Sequence, residues 1–341
     1  MNSLKPALVN VPVRVNIWIR PECQKRQFEI LKEARPSILF LISDGGRNER
    51  EWEAIRQNRK MIDEQIDWEC TVYRLYEDKN QGLYTMARKG VKLIWSIVDR
   101  CIFLEDDYVP SITYFQFCAE LLERYKDDER IEAICGMNHC ETWDNATADY
   151  FFATEGSIWG IATWRKRYEE RDFEFSYAKD PYVMGLLKKK LKNEKGFWRR
   201  VEGYPYNPLF ENHTPGGEFF YRLAIHMERR LYIIPKKNMI SNVGCTADGA
   251  HAAEYHLLPK GIRRVFGMKT YELEGSLKHM KHVIADEEYV KRRNRIMAVQ
   301  HPLVAFWRRM ESFFLTVRYK GARGIFNKIR KKAQRRKTIE K

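Results

Sequence analysis

The sequence predicts an α/β fold with helices flanking a parallel sheet, and three observations carry that prediction. Short apolar runs recur from about residue 12, at Val13 to Ile19, Ile38 to Ile42, Cys70 to Leu75 and Cys101 to Leu104, each the length of a buried strand. Helically spaced stretches separate them. The fourth run ends in three consecutive carboxylates, Glu105, Asp106 and Asp107, and open α/β sheets bind ligands beyond the carboxyl ends of their strands.

The elements follow in order. The first run leads into Arg20-Pro21-Glu22, and the second into Ser43-Asp44-Gly45-Gly46, whose glycines supply a flexible strand-to-helix turn. Trp52, Ile55, Arg59, Ile62 and Ile66 then recur at helical spacing, as do Met86, Val91, Ile94 and Val98 after the third run, so each set reads as a crossover helix. The fourth run is halted by Pro110, and Ile131 to Cys135 is strand-like. The second half is more aromatic, with Tyr150-Phe151-Phe152 and Ser157 to Trp164, and such stripes are more often core than binding platform. Ile233-Ile234-Pro235 and Met239 to Asn242 read as a return to the sheet. At the C-terminus Leu303, Phe306, Trp307, Met310, Phe313, Phe314 and Val317 share one helical face flanked by arginines, predicting a basic amphipathic helix.

A chain of 341 residues with 44% hydrophobic content has ample length for a core. No basic N-terminal segment leads into an apolar run, and no stretch approaches the ~18 apolar residues of a membrane span, so the chain is expected to be cytoplasmic. Its 7 cysteines are scattered without the paired spacing of a zinc site and read as reduced thiols. Without a secretory signal, Asn145-Ala146-Thr147 and Asn212-His213-Thr214 read as chance matches to the glycosylation pattern. The net charge of +15 is concentrated after Pro302, with a smaller basic run over 188–200. The amphipathic helix inside that basic segment points to an anionic membrane surface as partner of residues 303–341 and to a peripheral location at the inner face of the cell membrane. The alternative is a helix packed on the body with a solvated tail.

Like charges at close range raise one another's pKa and repel unless a cation lies between them. A hard divalent cation, Mn²⁺ or Mg²⁺, is the natural partner for the acidic triplet, because it takes oxygen ligands and bridges to phosphates. An acidic turn that caps the next helix is the alternative reading.

Several segments together resemble bacterial nucleotide-sugar glycosyltransferases of the glycosyltransferase A fold, similar to family 2 and the N-acetylglucosaminyltransferase I group. The resemblance spans roughly residues 12 to 255 and rests on order and spacing. Its parts are Arg20-Pro21-Glu22, Ser43-Asp44-Gly45, Asn80-Gln81-Gly82-Leu83, Leu104-Glu105-Asp106-Asp107 with Pro110-Ser111 and Tyr114-Phe115, Trp159 to Trp164, Pro235 to Asn238, Ser241 to Gly244, and Ala250-His251. It implies a Rossmann-like mixed sheet flanked by helices. Residues 1–135 would form the nucleotide-sugar half, 136–260 the acceptor and catalytic half, 261–302 a helical extension and 303–341 the basic tail. Carried over, it implies that Asp107 and His251 bind the metal and that Arg20, Pro21, Asp44, Glu105 and Asp106 bind the donor. Trp159 and Gly160 would face the acceptor, and Glu218 would be the catalytic base of a metal-dependent, inverting hexosyltransferase. Here Gly217-Glu218-Phe219 stands where the family has Trp before Asp. The implied donor is a uridine diphosphate sugar, and the implied acceptor a surface polysaccharide or lipid-linked glycan.

A sugar-1-phosphate nucleotidyltransferase would share the sheet and the carboxylates but needs a glycine-rich phosphate loop after the first strand, where Arg20-Pro21-Glu22 stands. A nucleic-acid-binding protein would line its folded domain with basic and aromatic residues, whereas most cations here lie in the tail, so no nucleic acid partner is expected. A catalytically silent nucleotide binder is a third alternative.

Overall fold

Strict alternation builds the first strand. In the computed structural model, which describes residues 4–206, 215–245 and 255–339 and side chains as far as 321, β1 spans Val9–Ile17. Val11, Val13, Val15 and Ile17 are buried on one face, while Arg14 and Asn16 share the other, as the two-residue period of a strand requires. The strand therefore begins and ends earlier than the apolar run Val13 to Ile19 implies, because Pro12, Arg14 and Asn16 interrupt composition but not alternation. Pro21 opens α1 (Pro21–Ala34) at a position where its missing N–H costs nothing. Then come β2 (Pro36–Ser43), α2 (Glu49–Gln65), β3 (Thr71–Tyr76), α3 (Leu83–Ile97) and β4 (Arg100–Leu104). The Asn48 side chain caps α2 by accepting from the Glu51 N–H at 3.0 Å.

After β4 come β5 (Tyr108–Pro110), α4 (Tyr114–Arg124), β6 (Ile131–Cys135), β7 (Tyr150–Ala153), β8 (Ile161–Trp164) and α5 (Arg165–Glu169). They are followed by α6 (Pro181–Lys190), α7 (Lys195–Gly203), α8 (Gly217–Met227), β9 (Leu231–Pro235) and β10 (Ile240–Asn242). The chain continues through α9 (Lys260–Arg263), α10 (Glu287–Met297) and α11 (Pro302–Ile339).

Eight strands form one sheet in the order β3-β2-β1-β4-β8-β6-β9-β7. The first four run parallel, as the alternation of strand and crossover helix predicts. The sheet as a whole is mixed, because β8 opposes both β4 and β6 and β7 opposes β9. β6 and β9 keep the direction of the first four strands while β7 and β8 reverse it, and the loop over 154–160 joins β7 to β8, two strands of like direction, without a helix. The fully buried Tyr114, Phe115, Phe117, Cys118, Leu121 and Leu122 of α4 pack into the core cluster with Val13, Val15, Ile102 and Leu104. Tyr150, Phe151 and Phe152 are core residues too.

Three expectations are corrected. Pro110 does not halt β4: the acidic triplet itself ends it, and Pro110 closes β5. Met239 to Asn242 does not rejoin the main sheet, because β10 pairs antiparallel with β5 in a separate ribbon, Ser241 opposite Val109. Of the expected helical extension 261–302, only the parts in α9 and α10 and the first residue of α11 are helical. Gly267 and Gly275 take positive φ, and the stretch from there to α10 has no helix. It works as a strap, with the Glu272 carboxylate accepting from the Ile112 and Thr113 N–H groups at 3.0 and 2.8 Å where α4 begins.

Candidate active site

The strand order reverses at β1, which pairs with β2 on one side and β4 on the other. The loops leaving β1 and β4 thus open at a topological switch point, the usual ligand crevice of such sheets. Arg20 comes from the first loop and Asp106 and Asp107 from the second. Arg20 forks onto Asp106, Nε to Oδ2 at 2.8 Å and Nη2 to Oδ1 at 2.5 Å, while Nη1 donates to Asp107 Oδ2 at 2.9 Å. Glu105 is held from β1 by Arg14 and Asn16, each at 2.5 Å. Gln27 of α1 ties the turn from beneath, its Nε2 donating to the carbonyls of Glu105 and Tyr108 at 2.6 and 2.7 Å. The alternation of β1 and the helical spacing of α1 thus converge on three adjacent carboxylates.

Their electrostatics are strained. Burial pushes Asp106 up to about 6, and the neighbouring Asp107 and Glu105 add to the rise against the opposing pull of Arg20. Asp107 is raised as well, again chiefly by burial. Burial alone would lower the Arg20 pKa, but the Asp106 and Asp107 partners outweigh it and hold the guanidinium charged. Gly244 closes this corner. A Cβ there would come within 1.9 Å of Asp107 Oδ2 and 2.4 Å of Arg20 Nη1, so only glycine leaves the carboxylate edge its space.

A cavity of about 220 Å³ lies on the other side of Trp159. Trp159 bridges the two regions, its ring 6.4 Å from that of Tyr108, the residue after the triplet, and 5.0 Å from Phe266. Glu155, just beyond β7, reaches Arg222 of α8 at 3.0 Å and Arg293 of α10 at 2.8 Å. Arg222 also meets Glu194 at 2.6 Å, and the rim carries Arg200 and Glu218 paired at 3.1 Å. His139 is 3% exposed with Nδ1 unpartnered, and burial, followed by the nearby Arg293 charge, holds its imidazole well below the usual range.

The structure brings Arg20, Asp106 and Asp107 together at one end and Trp159 and Glu218 at the other. Glu218 lies in the first turn of α8 with its side chain 57% exposed. Pro21 is the N-terminal residue of α1 beside Arg20. Asp44 has turned inward: Oδ1 accepts from the Gly45 and Gln81 N–H groups, each at 2.8 Å, and Oδ2 from Gly82 N–H and Asn80 Nδ2 at 2.9 and 3.1 Å. Its oxygens therefore organise the 79–82 loop. Gly160, at φ 59°, fits its backbone under Ile240, where a Cβ would clash at 2.5 Å. His251 lies outside the described residues. Sequence reasoning missed Glu155, Arg222 and Arg293. Glu155 carried a signal similar to the triplet's, a carboxylate two residues past a buried aromatic strand, but the arginines come from distant helices whose packing no local pattern announces.

Among the described residues no three His, Cys, Asp or Glu side chains cluster as a metal cage. Asp107 Oδ2 lies against the Gly244 backbone and accepts from Arg20 Nη1, so this corner is filled by protein atoms and offers one carboxylate rather than a preformed cage.

No family model matches the chain, and no curated protein matches its sequence. Solved structures similar to it include the mannosyltransferase PcManGT from Pyrobaculum calidifontis in complex with GDP-Man and Mn²⁺, at 11% identity and a TM-score of 0.43, covering 97% of this chain and 82% of that one. UDP-glucose pyrophosphorylase complexed with UDP-glucose has 11% identity and a TM-score of 0.34, covering 68% and 93%. Mouse xyloside xylosyltransferase 1 has 11% identity and a TM-score of 0.34, covering 65% and 83%.

Proposed function

We propose that this chain is a nucleotide-sugar-dependent glycosyltransferase of the glycosyltransferase A type, inverting and metal-dependent, acting on a surface polysaccharide or lipid-linked glycan. The observation that carries this reading is the meeting of Arg20 with Asp106 and Asp107 at the strand-order switch. A nucleoside diphosphate needs cationic partners, and Arg20 offers a planar fork held in place by two carboxylates. Asp107 would hold Mn²⁺ or Mg²⁺, which when bound neutralises the charge that gathers on a departing nucleotide. A nucleotidyltransferase is disfavoured because Trp18-Ile19-Arg20-Pro21, without glycine, follows β1.

The cavity behind Trp159 then takes the acceptor. Its charges pair off, Arg222 and Arg293 against Glu155 and Glu194, and Arg200 against Glu218, so it suits a neutral, hydroxyl-rich sugar ring better than an anion. Glu155, fixed by two guanidiniums, positions hydroxyls. Glu218, on the rim with one partner, is free enough to take the acceptor proton as the hydroxyl oxygen bonds to the anomeric carbon and the bond from that carbon to the donor phosphate oxygen breaks.

Calorimetric titration of a panel of nucleotide sugars, with and without Mn²⁺, tests the reading. One donor, with a uridine diphosphate sugar first in line, is expected to bind with metal, and Asp107→Ala to lose that metal dependence. Donor binding that ignores both metal and mutation removes the claim. Glu218→Gln should retain donor affinity and lose at least about 100-fold in turnover. Normal turnover would exclude it as the base.

A further inference from the structure

The last helix is amphipathic in the reverse sense for a helix docked on a protein body. Its polar side faces inward. The Arg308 guanidinium donates to the Ile296 carbonyl, the Glu311 carboxylate accepts from the Lys260 N–H at 2.8 Å, and Thr316 is 1% exposed. The opposite side carries Leu303, Phe306, Trp307, Phe313, Phe314 and Val317, all exposed, with Leu303 at 75% and Trp307 at 69%. With the half-buried Met310 between Trp307 and Phe313, these positions recur three and four apart and form one continuous stripe facing away from the protein. Turning the helix about its axis would have buried them. At about 25 cal/mol per Å² the apolar area left in water is a substantial forfeit, and such patches mark interaction surfaces.

We propose that α11 seats this stripe in an anionic lipid surface. Charge selects the occupant. After Pro302 thirteen Lys and Arg stand against Glu311 and Glu340, which places eleven of the net +15 charges in this segment. A second copy docking through the same face would bring two such segments together. A nucleic acid would welcome the cations but has no use for Leu303 and Val317, which lack a π face. An anionic bilayer satisfies both halves, its acyl chains taking the stripe and its headgroups the flanking Arg309, Arg318 and Lys320. Among the described residues no helix is long and apolar enough to cross a membrane, so α11 lies along the surface. The proposal goes beyond the transfer reaction and stands whether or not that reading does.

The test uses the full chain with vesicles of phosphatidylcholine alone or mixed with phosphatidylglycerol. Cosedimentation is expected only with the anionic vesicles, accompanied by a blue shift in tryptophan emission that Trp307→Phe diminishes. The triple variant F306S/W307S/F314S keeps every charge and alters only exposed side chains, so it should retain its melting temperature and lose more than about tenfold in partitioning. Absence of wild-type binding to anionic vesicles overturns the proposal. So does a triple variant that binds undiminished. A dimer that the triple variant dissolves, or RNA binding that it abolishes without any vesicle binding, would assign the stripe to another occupant and equally overturn it.

Discussion

Arg20 sets one positive charge between two carboxylates that otherwise face each other in a buried corner, with side-chain exposures of 13% for Arg20, 6% for Asp106 and 14% for Asp107. Removing one partner of such a buried set strands charge, which costs about 3–5 kcal/mol, whereas removing the mismatch restores part of it. Arg20→Ala is therefore expected to lower the melting temperature markedly, and R20A/D106N to recover part of the loss. Denaturant melts of the four proteins in the cycle measure this, and a double variant no more stable than Arg20→Ala would show that the pair is not the source. Lysine keeps the charge but cannot replace the fork, so Arg20→Lys should keep only part of the stability and also weaken nucleotide binding. The sequence made the acidic triplet conspicuous because like charges are adjacent there. It left the partner ambiguous: a missing cation can be a metal or a guanidinium, and only the fold brings residue 20 to residues 106 and 107.

At the scale of elements, α8 works as a clamp. Arg222 and His226 lie one turn apart on one face and both grip Glu194, at 2.6 and 3.5 Å. Burial pushes the Glu194 carboxyl up, but His226 and Arg222 outweigh it and hold it at about 2. A depressed carboxylate contributes stability that is fully present above its unfolded value near 4.5 and is lost as pH falls toward 2. The stake is on the order of 2–3 kcal/mol. Melting temperature between pH 2 and 6 should therefore fall more steeply for the wild type than for Glu194→Gln, and parallel curves would disprove the clamp. Helices and strands of the first half were legible because period and burial agree there, as with Ile55 and Ile62 of α2 or Met86 and Ile94 of α3. The direction of β8 was not, since a strand's own pattern is the same whichever way its neighbours run. β10 misled for a related reason: Ile240, Ser241 and Asn242 are buried as a sheet residue would be, but in a two-stranded ribbon against β5.

For the molecule as a whole, the two kinds of charge are kept apart, and salt should separate them. The cations proposed to meet a nucleotide are few and sheltered, Arg20 above all, with its charge already engaged by Asp106 and Asp107. Those of the last segment are many, and Arg309, Arg318 and Lys320 among them are exposed. Exposed charges are screened within ~8 Å at physiological ionic strength, while sheltered pairs feel added salt much less. The sequence pointed to this division through the crowding of basic residues after Pro302, but the outward turn of the apolar stripe depends on which side of α11 finds Ile296 and Lys260, and that is a property of the assembled fold. Raising NaCl from about 50 to 500 mM is thus expected to reduce partitioning onto anionic vesicles by more than tenfold and to change donor affinity only a few-fold. Equal losses in both would mean that the exposed segment also serves the nucleotide, and the separation into a sheltered site and a surface-seeking helix would fail.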